Sequence, residues 1–513
     1  MELWLTYLSF LSSFSLDPQR LHILGRPGKD QRVDAANPIF LAARSSSRRF
    51  RENFQFTRFI FKRTLGWGGF GIALKYEQVD AKQQHVDYAA VKVPRADKDQ
   101  IIEAFGYEMR YYMKFDASEH IPRLLHFPPE MTEEQEDGTR ALPEGNDQFW
   151  EVNSKLYPIV HHAMILEYLE YSDFFELIYK LDDAWPGNGI TQNTTPGKHH
   201  VIPNRTLWRF FLCLTRSCIA MAYPRKSEFQ LERMIRSQTE KRKNTRRSSI
   251  TAPAIPWHEE VDEDEVRTRL IHKDLDPGNG KISQLLFVFV GAPKPADAEH
   301  TFHPIAKIAD FGLMYDAAGG DGGIRDWLTL VLLLSLRSGG KMVCHAPEQF
   351  DNNVFNGPES FDAWTNIWGV GQIMYALMTR AMWKQSNREA RRVPTPTPAD
   401  PNRMTDTYGW HLDETVQWPG LFAVARPDQV STFKDYDKDL RVLVMLCLAR
   451  WPRERPTLEG LVQTIEEAIR RGDEQDAQGG NSELETNAQL EAFYDQYFRS
   501  APEAPDPWEG MYN

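Results

Sequence analysis

Ile271-His272-Lys273-Asp274-Leu275-Asp276-Pro277-Gly278-Asn279 sets a carboxylate, Asp274, five residues before an amide, Asn279, in a short segment rich in turn formers. Such a pair can orient a hydroxyl and hold a magnesium ion on a nucleotide phosphate. The run is short, and its meaning depends on what else in the chain converges on it.

Upstream, β-branched and aromatic residues begin at Phe56. Their pattern predicts three strands, Phe56 to Leu65, Gly71 to Val79 and Asp87 to Val93, joined as an antiparallel meander. Between the first two lies Gly66-Trp67-Gly68-Gly69-Phe70-Gly71, which fits GxGxxG. Glycines there let the backbone approach phosphates and present N–H groups to them. A dinucleotide-binding fingerprint would open a helix at the last glycine. Here Gly71-Ile72-Ala73-Leu74-Lys75-Tyr76 continues as a strand. The third strand carries Ala90-Val91-Lys92-Val93, and a lysine between apolar neighbours is costly to bury unless an anion meets it. The helical pattern Asp97 to Phe115 offers Glu103 and Glu108. Glu108 is preferred because it sits amid Phe105, Met109 and Tyr112 on an apolar stripe.

A glycine-rich loop, a strand-borne lysine and a helix glutamate in this order resemble the protein kinase family. Further segments extend the resemblance over about residues 56 to 470: Met164 to Leu169 as the strand leading to an interlobe hinge, the HxDxxxxN loop from His272 to Asn279, and Asp310-Phe311-Gly312 after a predicted strand, Ile305 to Ala309. Ala346-Pro347-Glu348, an apolar helix from Thr365 to about Met378, and the segment around Arg455 complete it. The resemblance implies an α+β, two-lobed protein-kinase-like fold, with a small β-rich N-lobe (56–169) and a larger, mainly helical C-lobe (170–470). It implies ATP and Mg2+ as cofactors and a protein substrate. Gly66, Gly68 and Gly71 would cover the nucleotide phosphates, with Lys92 contacting them and Glu108 holding Lys92. Leu166 would be the gatekeeper, and the backbone from Glu167 to Leu169 would meet adenine. Asp274 would act on the substrate hydroxyl, Asn279 and Asp310 would hold the metal, and Glu348 would pair with Arg455 for architecture. Asp173 reads equally as a ribose contact or a helix cap.

The same resemblance marks departures. Asp276 stands where serine/threonine kinases usually carry a lysine, beside charge that develops during transfer. Lys273 replaces an arginine, and Lys341 a threonine. Asn366 replaces an aspartate that braces the catalytic loop, and its amide can still accept one such bond. The run Trp327 to Leu336 is too apolar for an exposed regulatory loop. The expected activity is Ser/Thr protein kinase, with a pseudokinase or scaffold of the same fold as the alternative.

Composition bounds the rest. A formal charge of −12 over 513 residues argues against a generic nucleic-acid partner. Four cysteines without metal-ligand spacing read as buried reduced thiols of a cytoplasmic or nuclear protein. Leu3 to Leu16 is apolar, but Glu2 replaces the positive charge that a signal peptide carries there, and no membrane partner is expected. Residues 1–55 read as a loosely ordered leader, about 226–265 as a disordered charged insert, and 471–513 as a polar acidic tail.

Overall fold

The computed structural model describes residues 45–48, 51, 59–67, 71–79, 84–95, 99–115, 118–126, 163–171, 173–183, 201–224, 259–261, 267–275, 288–292, 299–300, 302–317, 344–356, 360–379, 389–413, 436–480 and 485–499. The fold mixes helices and strands. Strands β1 (Phe59–Trp67), β2 (Gly71–Val79) and β3 (His85–Pro94) form the expected meander, and helix α1 (Asp99–Lys114) follows. Two short strands, β4 (Leu124–His126) and β5 (Met164–Glu167), complete an antiparallel sheet ordered β1-β2-β3-β5-β4. Alternation along β2 and β3 buries Ile72, Leu74, Val91 and Val93. At Gly71 the sheet lies close against α1: a Cβ there would lie 2.7 Å from the Phe105 ring.

The remainder is mainly helical. Helix α2 (Phe174–Asp183) begins at Asp173, whose carboxylate accepts from Glu176 N–H at 2.8 Å. That geometry is a helix cap. Helix α3 (Asn204–Ala222) is buried along almost its whole length. After it come three short ribbon strands, β6 (Leu270–His272), β7 (Val288–Gly291) and β8 (Ile305–Ile308), then β9 (Met314–Asp316). β6 pairs with β9 and β7 with β8. The short α4 (Pro347–Phe350) and the apolar α5 (Ala363–Thr379) lead to a hairpin, β10 (Arg391–Pro394) with β11 (Met404–Thr407). Helices α6 (Lys438–Cys447), α7 (Leu458–Ala477) and α8 (Asn487–Tyr494) end the described chain, with one π turn, Asp495–Arg499. Helix α3 packs against α5, α7 and β8.

Three expectations need correction. The tail expected over 471–513 is structured for much of its length: Leu490, Phe493, Tyr494, Tyr497 and Phe498 are all buried. They recur at i, i+3, i+4, i+7 and i+8, an apolar helical stripe inside a polar composition. This segment also finishes α3, whose N-cap position, Pro203, offers no side-chain hydrogen bond. Glu485 accepts instead from the N–H groups of Asn204 (2.7 Å) and Arg205 (3.0 Å). The charged insert expected up to residue 265 holds Glu259, which is fully buried; most of the insert lies outside the described residues. Within the leader, 45–48 is a helical turn in which Ser46 and Ser47 are buried and the Ser46 hydroxyl donates to Arg95 O. The apolar run 327–336 lies outside the described residues. No helix among the described residues is long and apolar enough to cross a membrane.

Candidate functional site

β3 presents Lys92 toward α1, and the register that pairs it with Ala73 and Met164 puts it in the interior of the sheet. A buried ammonium requires anions, and it has two. Lys92 Nζ donates to Glu108 Oε1 at 2.6 Å and to Asp310 Oδ1 at 2.9 Å. Asp310 follows β8 and is the one residue other than glycine with positive φ among the described residues (φ 63°, ψ 70°). Aspartate tolerates this conformation better than most residues, but it still costs energy, and such strain gathers at functional sites. Asp310 N–H donates to the Tyr112 hydroxyl of α1 at 3.0 Å. Phe311, fully buried, meets the rings of Tyr112, Phe115 and His272 at centroid distances of 4.9, 5.2 and 5.6 Å.

Three ionisable groups with one cation between two carboxylates titrate as a unit. Burial works against the charge on Lys92, but Asp310 and Glu108 outweigh it and hold its pKa above the ordinary value. Burial pushes the Glu108 carboxyl up to about 8, despite the ammonium beside it. Asp310 goes the other way: burial opposes its charge, yet Lys92 lowers its pKa. The side chain of Glu108 is 1% exposed and that of Asp310 18%, so Asp310 keeps the charge more cheaply.

The loop of Asp274 is held against this cluster from below. His272 Nε2 lies 3.0 Å from Ala309 O, and His272 N–H donates to Asn366 Oδ1 at 2.9 Å. Asn366 Nδ2 in turn donates to Leu270 O at 2.8 Å. One amide therefore braces both ends of β6. Gly369, one turn further along α5, admits Leu275: a Cβ there would lie 2.6 Å from the leucine Cβ. Asp274 is buried in this loop. Burial pushes the neighbouring Lys273 down to about 8, against the charge of Asp274, and its ammonium stands 5.6 Å from the Tyr315 ring centroid.

Gly66 is the penultimate residue of β1 and Gly71 opens β2; Gly68, Asp276, Asn279 and Lys341 lie outside the described residues. Leu166 is buried on β5. The Glu167 N–H donates to Arg123 O at 3.0 Å, and its carboxylate accepts from Lys307 Nζ and from Arg123 N–H. Leu169 is buried against the β7–β8 ribbon, close enough that a Cβ on Gly291 would meet its side chain at 2.9 Å. Glu348 and Arg455 form a two-bond pair, 2.9 and 2.7 Å, with neither side chain exposed.

Lys307 and Tyr112 were missed by sequence reasoning. Lys307 carried a usable signal, because Ala306-Lys307-Ile308 sets a lysine in an apolar strand just as Val91-Lys92-Val93 does. No protein-family model matches the chain, and no curated protein sequence matches it.

Proposed function

We propose that the chain is a divergent, two-lobed protein kinase that transfers the γ-phosphoryl group of ATP, with Mg2+, to Ser/Thr hydroxyls of a protein. The observation that carries this reading is the bridge from Lys92 to both Glu108 and Asp310, the second of them 218 residues away. In kinases the strand lysine must engage its helix glutamate and the DFG aspartate must be in place before transfer proceeds. Asp274, pinned through His272 and Asn366, would accept the proton of the substrate hydroxyl. The oxygen would then bond to the γ-phosphorus as the bond from that phosphorus to the bridging oxygen breaks, and ADP would leave with the electron pair. Lys92 would orient the α/β-phosphates.

The donor set suits a hard divalent ion. Asp310 is the least buried carboxylate of the cluster, and two carboxylates there face a single lysine. Asp310, with Asn279, would hold Mg2+, which when bound neutralises phosphate charge. A scaffold reading is favoured by Asp276, which puts an anion where a cation would assist transfer. Transfer of labelled γ-phosphate to a generic protein substrate, wild type beside Asp274→Asn, separates the two. The kinase reading expects Asp274→Asn to lose at least ~100-fold in rate. Equal signals would sink it.

A further inference from the structure

Away from Lys92, four segments meet around a second buried cluster. His120 lies in the turn between α1 and β4, Cys213 on α3, His300 ahead of β8, and Glu259 in the segment before β6. All four side chains are essentially inaccessible to water. His120 Nε2 and His300 Nε2 stand 3.0 Å apart, Cys213 Sγ is 3.9 Å from His300 Nε2, and all three donor atoms lie within 4.8 Å of one another. Nothing in the spacing of these residues, 93 and 87 positions apart along the chain, announces the cluster.

The geometry points to a structural transition-metal site, most suited to Zn2+, with His120, His300 and Cys213 as ligands. Two imidazole nitrogens and one sulfur are the donor types that zinc selects. Around tetrahedral zinc, two bound nitrogens lie ~3.3 Å apart and a nitrogen and a sulfur ~3.6 Å apart. The observed 3.0 and 3.9 Å each lie about 0.3 Å from those edges, and the third edge, from Cys213 Sγ to His120 Nε2, lies within 4.8 Å.

The surrounding bonds orient the ligands before any ion arrives. Glu259 Oε2 lies 2.7 Å from His120 Nδ1 and holds the ring so that Nε2 faces the cluster. A carboxylate behind a ligating histidine is the usual outer partner of bound zinc. Glu259 is itself held, accepting from His120 N–H at 2.9 Å and from the Ser118 hydroxyl. Ser217 Oγ and Ile308 N–H fix the His120 carbonyl at 2.7 and 3.1 Å. Arg216, on α3 with Cys213, donates to Glu259 O at 2.5 Å and to Glu299 at 2.7 Å, so one side chain grips both the Glu259 segment and the residue before His300. Coordination would release two protons to solvent, the one held between the two Nε2 atoms and that of the Cys213 thiol, and the freed nitrogen and sulfur lone pairs would bind the ion. The thiolate and the Glu259 carboxylate would then offset its two positive charges. A water enclosed with the ion would complete the fourth position. The ion would tie the α1–β4 turn to α3 and β8, and this role does not depend on phosphoryl transfer.

The test uses the full chain, stripped with a chelator, dialysed and titrated with Co2+ and then Zn2+. One Co2+ per chain is expected, with a thiolate-to-cobalt charge-transfer band that Zn2+ abolishes by displacement and that Cys213→Ser lacks. X-ray absorption of the Zn2+-loaded wild type needs no variant and should show one sulfur and two imidazoles in the first shell. Zn2+ should also raise Tm. A folded wild type that gives no charge-transfer band, a band that survives Cys213→Ser, or a zinc shell without sulfur would each overturn the site and leave only a hydrogen-bonded Glu259–His120–His300 chain.

Discussion

Two buried ion clusters in this molecule are built on opposite charge balances. Arg455 and Glu348 are matched one to one: two parallel hydrogen bonds join them, and neither side chain is exposed. Further bonds hold both partners, from Thr365 Oγ1 to the carboxylate and from the guanidinium to Ala449 O and Trp364 O. At Lys92 one cation serves two carboxylates, the backbone of Asp310 is strained, and part of Asp310 reaches solvent. A matched, closed pair holds a fold together. The Lys92 cluster can change its charge, because Glu108 is pushed up to about 8 and can take up a proton while Asp310 is partly open to solvent, and that capacity is what the closed pair lacks.

The comparison can be broken by substitution. Arg455→Met should be the most damaging, because Glu348 would be left buried without a partner; the expected loss is about 3–5 kcal/mol in a denaturant melt. A loss below ~1 kcal/mol would refute the architectural reading. Lys92→Met should cost less, about 2 kcal/mol, since burial already pushes Glu108 up to about 8 and it can take up a proton. The same variant should lose the Tm rise on adding Mg2+ and ATP that the proposed function expects of the wild type. If Lys92→Met proves the less stable of the two, the contrast between closed and open clusters fails.

Smaller effects belong to the C-terminal segment. Glu485→Ala removes the cap of α3 and should lower stability by about 1 kcal/mol. No change would mean that water replaces the carboxylate at Asn204 and Arg205. His303 gives a pH signature, because its Nδ1 lies 2.7 Å from the Tyr494 hydroxyl of α8. Burial, with Arg209 and Arg205 adding to it, pushes its pKa down to about 3. A histidine depressed in the fold contributes its full stability above the unfolded value near 6.5 and loses it as pH falls toward the folded value. Between pH 6.5 and 5.5 the loss should stay at or below about 1 kcal/mol. It should vanish from the Tm–pH profile of His303→Gln, and an unchanged profile would remove His303 from the account.

Much of the sheet was readable from sequence because its cues are local. Alternation marked β1 to β3, and a lysine inside an apolar strand demanded an anion, which Glu108 supplies. Asn366 was legible as a brace, since an amide can accept as an aspartate does. The structure adds that it also donates, to Leu270 O. The segment after residue 471 was misjudged because its polar composition outweighed five apolar residues at helical spacing, and a helix of that size is stable only against a partner. Glu259 was misjudged for a related reason: in an acidic run, nothing local distinguishes the one carboxylate that a buried histidine will claim.

By itself the sequence determined the order of the elements, the faces they bury, and the lysine and carboxylates that need one another. These follow from periodicity and from the cost of burying charge, both of which act over a few residues. Only the tertiary structure decided that Asp310 turns its carboxylate onto Lys92 through a strained backbone, that Glu485 caps a helix some 280 residues earlier, and that His120, Cys213 and His300 converge. Each of those depends on distances between segments remote in the chain, which packing sets and local pattern does not encode.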